Sequence, residues 1–142
     1  MKRKIIVILS FLFLFVFCGC QPSGVSHAKY SVESTENVVV VKVEAAKDAR
    51  FLIDVMEQAK ADGELTYETS NGMITSINGK ANPADWSYCW MLYTSDSSMA
   101  STEYGTYEYE GQTLGSAVLG TEALPVVDGG IYVWYYQHFK QP

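Results

Sequence analysis

With 142 residues, 16 acidic against 10 basic side chains and a formal net charge of −6, the chain has the length of one ordinary domain and too little positive charge to hold nucleic-acid phosphates. Its two histidines and three cysteines are too few and too scattered for a zinc site or a catalytic triad. No glycine-rich nucleotide loop of recognised spacing appears, and an enzyme is not expected.

The chain opens with Lys2, Arg3 and Lys4, then an apolar run from Ile5 to Phe17 broken only by Ser10. This is the charged and apolar order of an export signal over residues 1–19, since a spanning helix needs about 20 apolar residues. A single-span anchor is the alternative. Phe17-Cys18-Gly19-Cys20 resembles the lipobox of bacterial lipoproteins, with Phe17 where that pattern usually has Leu. The resemblance implies that Cys20 becomes lipidated and starts the mature chain, against the plainer alternative of an ordinary cleaved signal. With the three signal bases gone from the 10, seven bases face 16 acids, a net charge of −9. Gln21 to Glu36 is rich in Ser, Glu and Gly and poor in bulky aliphatics, the composition of a flexible tether carrying His27. Acyl chains, at roughly 0.8 kcal/mol per buried methylene, would hold such a tether to a bilayer. The expected location is therefore the outer face of a bacterial membrane, at a Gram-positive cell surface.

The domain is expected over residues 37–142. Val38 to Ala45 is a β-branched run that reads as a strand buried on both faces. Asp48 is placed to cap a helix in which Phe51, Leu52, Val55, Met56 and Ala59 recur at helical spacing, and Gly63 ends it. Asn71-Gly72 marks a type I′ hairpin joining Glu64–Ser70 to Met73–Ile77, with Leu65, Tyr67 and Ile74 on one face. A second pair, Asn78-Gly79, runs into Lys80-Ala81-Asn82-Pro83 and reads as the mouth of a loop. Ser87 to Asp96 alternates Tyr88, Trp90 and Leu92 with Cys89, Met91 and Tyr93 as a strand. A polar stretch, a short strand at Thr106–Glu110, a turn at Gly111, a small-residue segment at Leu114–Gly120 and a last strand at Gly130–Phe139 complete the chain. The order is α+β: a β-grasp-like small mixed sheet with one main helix packed on one face.

TSINGK, then the aromatic strand YCWMLYTSD, then GSAVLGTEALPVVDGG leading into IYVWYYQ, together resemble the transcobalamin-like C-terminal domain family over nearly all of Val38 to Gln137. Where many relatives turn at Asn-Gly after the Trp strand, this chain has Thr94-Ser95-Asp96 and a longer Ser/Thr-rich excursion. Membership implies a β-grasp-like domain that closes over one face of cobalamin. In eukaryotic carriers a helical domain holds the other face, whereas many bacterial members stand alone on exported lipoproteins.

Ten tyrosines and three tryptophans crowd into Trp86–Tyr93 and Tyr132–Tyr136, giving apolar bodies with polar handles. With one helix for two sheet faces, half of these rings are expected beneath the helix and half on a more open surface. The resemblance carries Trp90 and Leu92 over as ligand-facing; Tyr88, Trp86, Trp134 and Tyr136 join them as surface aromatics. The expected ligand is a cobalamin-type corrinoid, bound without a resident cofactor or metal and delivered to a membrane importer. The alternative is a surface protein-interaction or adhesion module. Cys89 reads as a small buried hydrophobe, His138 as a half-exposed strand residue, and Glu108 with Glu110 as a solvated face.

Overall fold

The computed structural model describes residues 27–139. The expected signal peptide, Cys20 as the lipidated residue and the first part of the tether lie outside them. In chain order the described elements are β1 (Lys29–Ser34), β2 (Val38–Ala45), α1 (Leu52–Ala61), β3 (Tyr67–Ser70), β4 (Met73–Ile77), β5 (Lys80–Ala81), β6 (Tyr88–Thr94), β7 (Ala100–Tyr109), β8 (Gln112–Ala117) and β9 (Ile131–His138). The fold is α+β, mostly strand with one short helix. A six-stranded sheet runs β1-β2-β9-β6-β8-β7, and a three-stranded sheet runs β3-β4-β5.

The second half of the expected tether is structured. KYSVES forms edge strand β1 against β2, placing Tyr30 opposite Val43 and Val32 opposite Val41. An edge strand needs one apolar face, and Tyr30 and Val32 supply it by packing on the core while the Ser and Glu residues between them look outward. Tyr30 Oη donates to Asp62 Oδ2 at 2.6 Å, Gln58 Nε2 to Ala28 O at 3.2 Å, and the His27 amide to Asp48 Oδ1 at 2.7 Å. The ordered body thus includes His27 rather than beginning at Asn37.

Asp48 is engaged with His27 and does not cap α1. That role falls to Asp54, whose Oδ2 accepts from the Arg50 and Phe51 amides at 2.8 and 2.9 Å. At the far end Gly63 takes φ +77, and the Glu64 amide bonds Ala59 O at 2.8 Å, closing the helix with a Schellman turn. Leu52, Val55, Met56 and Ala59 form the inward stripe and share one core with Val39, Val41 and Val43 of β2 and Tyr132 and Trp134 of β9.

Where a mixed sheet is expected, every pairing is antiparallel. β2 and β6 do run in the same direction, as a strand-helix-strand crossover would leave them. However, β9 enters between them in the reverse direction and converts one parallel relationship into two antiparallel ladders.

Both Asn-Gly pairs make hairpins. Asn71 and Gly72 have φ +52 and +77, Asn78 and Gly79 +48 and +80, the left-handed pairs of a type I′ turn. The second turn was expected to open a loop, but Lys80 and Ala81 pair with Ile77 and Ser76 before Pro83 ends the ladder. Asn78 also accepts the Thr66 amide at 2.9 Å. The result is a small sheet that lays Leu65, Tyr67, Ile74 and Ile77 on the same core as the helix.

The face opposite the helix, expected to be open, is covered. The long β7–β8 hairpin folds across it, burying Val40, Tyr93, Leu114 and Val133 beneath Tyr107 and Tyr109. Tyr107 packs on Tyr93 and Tyr135 with ring centroids 5.8 and 5.2 Å apart. The sheet coils until its outer strands meet through side chains: Tyr109 Oη of β7 donates to Glu33 of β1 at 3.2 Å, and Lys42 Nζ lies 3.1 Å from both Glu33 and Glu110. Glu108 instead accepts from Thr113, so the two glutamates have separate partners.

Candidate ligand-binding cleft

Strand β6 has two neighbours, and it treats them differently. It pairs with β9 from Tyr88↔His138 to Thr94↔Tyr132, whereas with β8 it pairs only at Tyr93↔Ser116 and Thr94↔Gly115. β7, the other neighbour of β8, is irregular at the same point. Its register with β8 jumps from Ser101↔Ser116 to Thr106↔Gly115, so residues 102–105 loop out of the ladder. The crossing is tight: a Cβ on Gly115 would sit 2.8 Å from Ser101 O and 2.9 Å from Ala100 Cβ. Ser116 Oγ donates to the same Ser101 carbonyl at 2.9 Å. Glycine at residue 115 is therefore what lets β7 and β8 approach at this point.

Past Ser116 the chain leaves β6 and heads toward the small sheet, where Gly120 lies close against Gly72 O. A cleft of about 570 Å³ opens between the parted strands. Trp90, Leu92 and Trp134 belong to its lining and also to the core, with 5 %, 7 % and 4 % of their surfaces exposed. Met73, Trp86, Tyr104, Val118 and Leu119 form exposed parts of the wall. Among the described residues seven large hydrophobic side chains are exposed, and these are five of them. Among the described residues no Asp, Glu, Lys, Arg or His lines the cleft. Tyr104 stands on the looped-out part of β7, the Ser/Thr-rich excursion of the sequence.

The six expected ligand residues divide. Trp86, Trp90, Leu92 and Trp134 line the cleft. Tyr88 and Tyr136 lie outside it as a neighbouring strip, stacked with centroids 5.7 Å apart and planes 19° apart. His138 is exposed and meets Tyr88 edge-on at 5.3 Å, and Lys80 Nζ lies 4.5 Å over the Tyr136 ring. Trp134, expected as a surface aromatic, is enclosed instead, and both it and Trp90 lie on the helix side of the sheet, in the core that also lines the cleft. Trp90 is fixed there by its own hydrogen bonds, Nε1 donating to Lys80 O at 2.8 Å and its amide to Asn82 Oδ1 at 3.1 Å. Trp134 Nε1 is enclosed without a partner.

Cys89 is buried beside the cleft, and burial pushes its thiol above the ordinary value, which disfavours the reactive thiolate. Met73, Ile74, Tyr104, Val118, Leu119 and Phe139 also line the cleft and were not expected there from the sequence, where Ile74 was read only as a core-face residue of the hairpin. One signal was present. In GSAVLG two adjacent aliphatics follow a run of small residues, and adjacent strand positions cannot both face one core. No family model matches the sequence, nor does any curated protein or solved structure.

Proposed function

We propose that the chain is an exported, lipid-anchored binding module whose β-grasp-like domain receives part of an amphipathic small molecule in the cleft, with a cobalamin-type corrinoid as the ligand and a membrane importer as the recipient. One observation carries the binding reading: five of seven exposed large apolar side chains gather around one aromatic-floored opening. Support for the finer assignments comes from the sequence, through the lipobox-like FCGC and the ordered resemblance to the transcobalamin-like domain. An opening hairpin, a helix across it and a last strand beside the hairpin support a β-grasp-like order of elements, with the departure that β9 runs antiparallel to β2.

The cleft volume of about 570 Å³ falls within the range of small-molecule sites, roughly 300–1,000 Å³. A corrinoid is larger, so it would enter by one edge and leave its opposite face to a second protein. Each well-placed aromatic contact adds about 1 kcal/mol beyond area burial, and micromolar affinity needs roughly −8 kcal/mol in all. Trp86, Trp90 and Trp134 together fall short of that without the area term.

The test is a titration of residues 21–142, which contain every described residue, with cyanocobalamin and other corrinoids. Saturable change in Trp fluorescence and in the corrinoid absorption band is expected. No response at high micromolar ligand would overturn the corrinoid assignment and leave the surface protein-interaction module as the better reading. Separately, cells fed a labelled fatty acid are expected to mark the unaltered chain and not Cys20→Ser; an unlabelled unaltered chain would contradict the lipid anchor.

A further inference from the structure

The chain holds four asparagines, Asn37, Asn71, Asn78 and Asn82, and the fold treats them unequally. An asparagine loses its side-chain amide when the backbone nitrogen of the next residue attacks its Cγ. That attack needs an N–H on the next residue, an unhindered approach and a side chain at liberty to turn. Asn82 is followed by Pro83, which has no N–H. Asn37 precedes the β-branched Val38, whose amide donates to Thr35 Oγ1 at 3.2 Å. The two Asn-Gly pairs remain.

Both pairs occupy turns with the same left-handed backbone, and both asparagines are exposed. Solvent access therefore does not separate them; hydrogen bonding does. Asn78 Oδ1 accepts the Thr66 amide at 2.9 Å while the Asn78 amide donates to Thr66 O at 2.8 Å, and Asn78 Nδ2 donates to Ser34 Oγ at 3.4 Å. Its side chain must leave that reciprocal pair before Cγ can meet the Gly79 nitrogen. Asn71 has no such hold, since no described residue hydrogen-bonds its side chain. Its turn joins exposed residues, Glu68 to Ser70 on one strand and Met73 on the other, and the ladder behind it is irregular between Glu68 and Thr69. A hairpin tip with so little buried surface opens locally at low cost.

We infer that Asn71 is a site of spontaneous deamidation, from which the fold spares the other three asparagines. The Gly72 nitrogen bonds to Asn71 Cγ, the Cγ–Nδ2 bond breaks, and ammonia leaves with the proton given up by Gly72. Water then opens the cyclic imide at either carbonyl. One opening leaves aspartate at residue 71, and the other leaves isoaspartate, whose main chain runs through the side-chain carbon. Either product brings a carboxylate to a turn where Glu122 Oε2 lies 3.5 Å from the place a Cβ on Gly72 would take. Isoaspartate also lengthens the main chain by one carbon, which a two-residue turn cannot absorb in register. Gly72 and Met73 line the cleft, and Gly120 lies against Gly72 O. The change therefore falls on the lip of the cleft, whether or not a ligand binds there.

The test is to age residues 21–142 in mildly alkaline buffer, folded and in guanidinium chloride, and to follow each asparagine by peptide mass mapping with fragmentation that tells isoaspartate from aspartate. In guanidinium the two Asn-Gly pairs are expected to convert at comparable rates. In the folded chain residue 71 should outpace residue 78 by about 10-fold, the size of the hydrogen bonds that hold Asn78, with Asn37 and Asn82 unchanged. Equal rates at the two pairs in the folded chain, faster conversion at residue 78, or a residue 71 as inert as residue 82 would overturn the inference. The same ratio in guanidinium as in the folded chain would trace the preference to sequence and overturn it as well. In heteronuclear NMR spectra of the aged protein the Gly72, Met73 and Gly120 amide resonances should be displaced and those of Gly79 and Lys80 unmoved. Unmoved Met73 and Gly120 resonances in a converted sample would overturn the consequence for the cleft lip.

Discussion

The two ends of β6 follow opposite rules. At Tyr93–Thr94 the strand has a ladder on each side and Tyr93 is sealed between Leu114 and Val133, so the sheet is continuous and covered on both faces. Just before it, over Cys89–Leu92, the same strand keeps β9 but has lost β8, and its side chains are both core and cleft wall. The difference teaches that the opening is made by a neighbour departing, with little change in β6 itself. A strand apolar on both faces can supply a site without giving up its place in the core.

The closed end should be the sensitive one. Leu114→Ala, at a fully buried position, is expected to lower urea-unfolding stability by about 2–4 kcal/mol. Gly115→Ala comes next, at about 1–3 kcal/mol, because the new methyl meets the Ser101 carbonyl and Ala100 rather than a flexible side-chain tip. A neutral result at Gly115 would mean that the β7–β8 crossing does not set the point of divergence. At the open end, Leu119→Ala should stay within about 0.5 kcal/mol of the parent in the same assay while weakening cyanocobalamin binding severalfold. Comparable destabilisation at residues 114 and 119 would erase the distinction between the two ends.

Alkaline pH gives a further contrast. Burial is the largest cause raising the phenols of Tyr30, Tyr67, Tyr93 and Tyr132 above their ordinary 10.0. The folded chain keeps these protons where the unfolded chain has lost them, so stability should fall as pH rises through 10 and beyond. A urea midpoint that is flat from pH 9 to pH 11 would contradict this. The smallest effect is expected for Lys42→Met: its links to Glu33 and Glu110 bridge the two sheet edges, but these partners are solvent-exposed. A clear drop in stability would show that charge rather than apolar packing closes the coil.

Much of the frame was legible in the residues. The period of α1, the Gly63 stop, the Asn71-Gly72 turn and the alternation of β6 are local signals, and local signals survive in a sequence. β1 was obscured because an edge strand with one apolar face needs only Tyr30 and Val32, scattered among Ser and Glu in what reads as tether. The second Asn-Gly hairpin was hidden by Pro83, which ends a strand already two residues long. The cleft could be read only in part. Trp86, Trp90, Leu92 and Trp134 stood out by type, but their placement depends on where β8 leaves β6, which coincides with the close approach of Gly115 to Ser101. Residues 73, 104, 118, 119 and 139 meet through tertiary geometry that no local period records.

The docking of His27 and Ala28 against Asp48 and Gln58 sets a leash. If Cys20 carries the lipid, seven residue steps separate it from His27, and a fully extended chain spans about 3.5 Å per step, roughly 25 Å in total. The body would then ride close over the headgroups instead of sweeping through the cell wall. If the cleft carries the proposed ligand, a tether this short also limits how far that ligand is held from the bilayer.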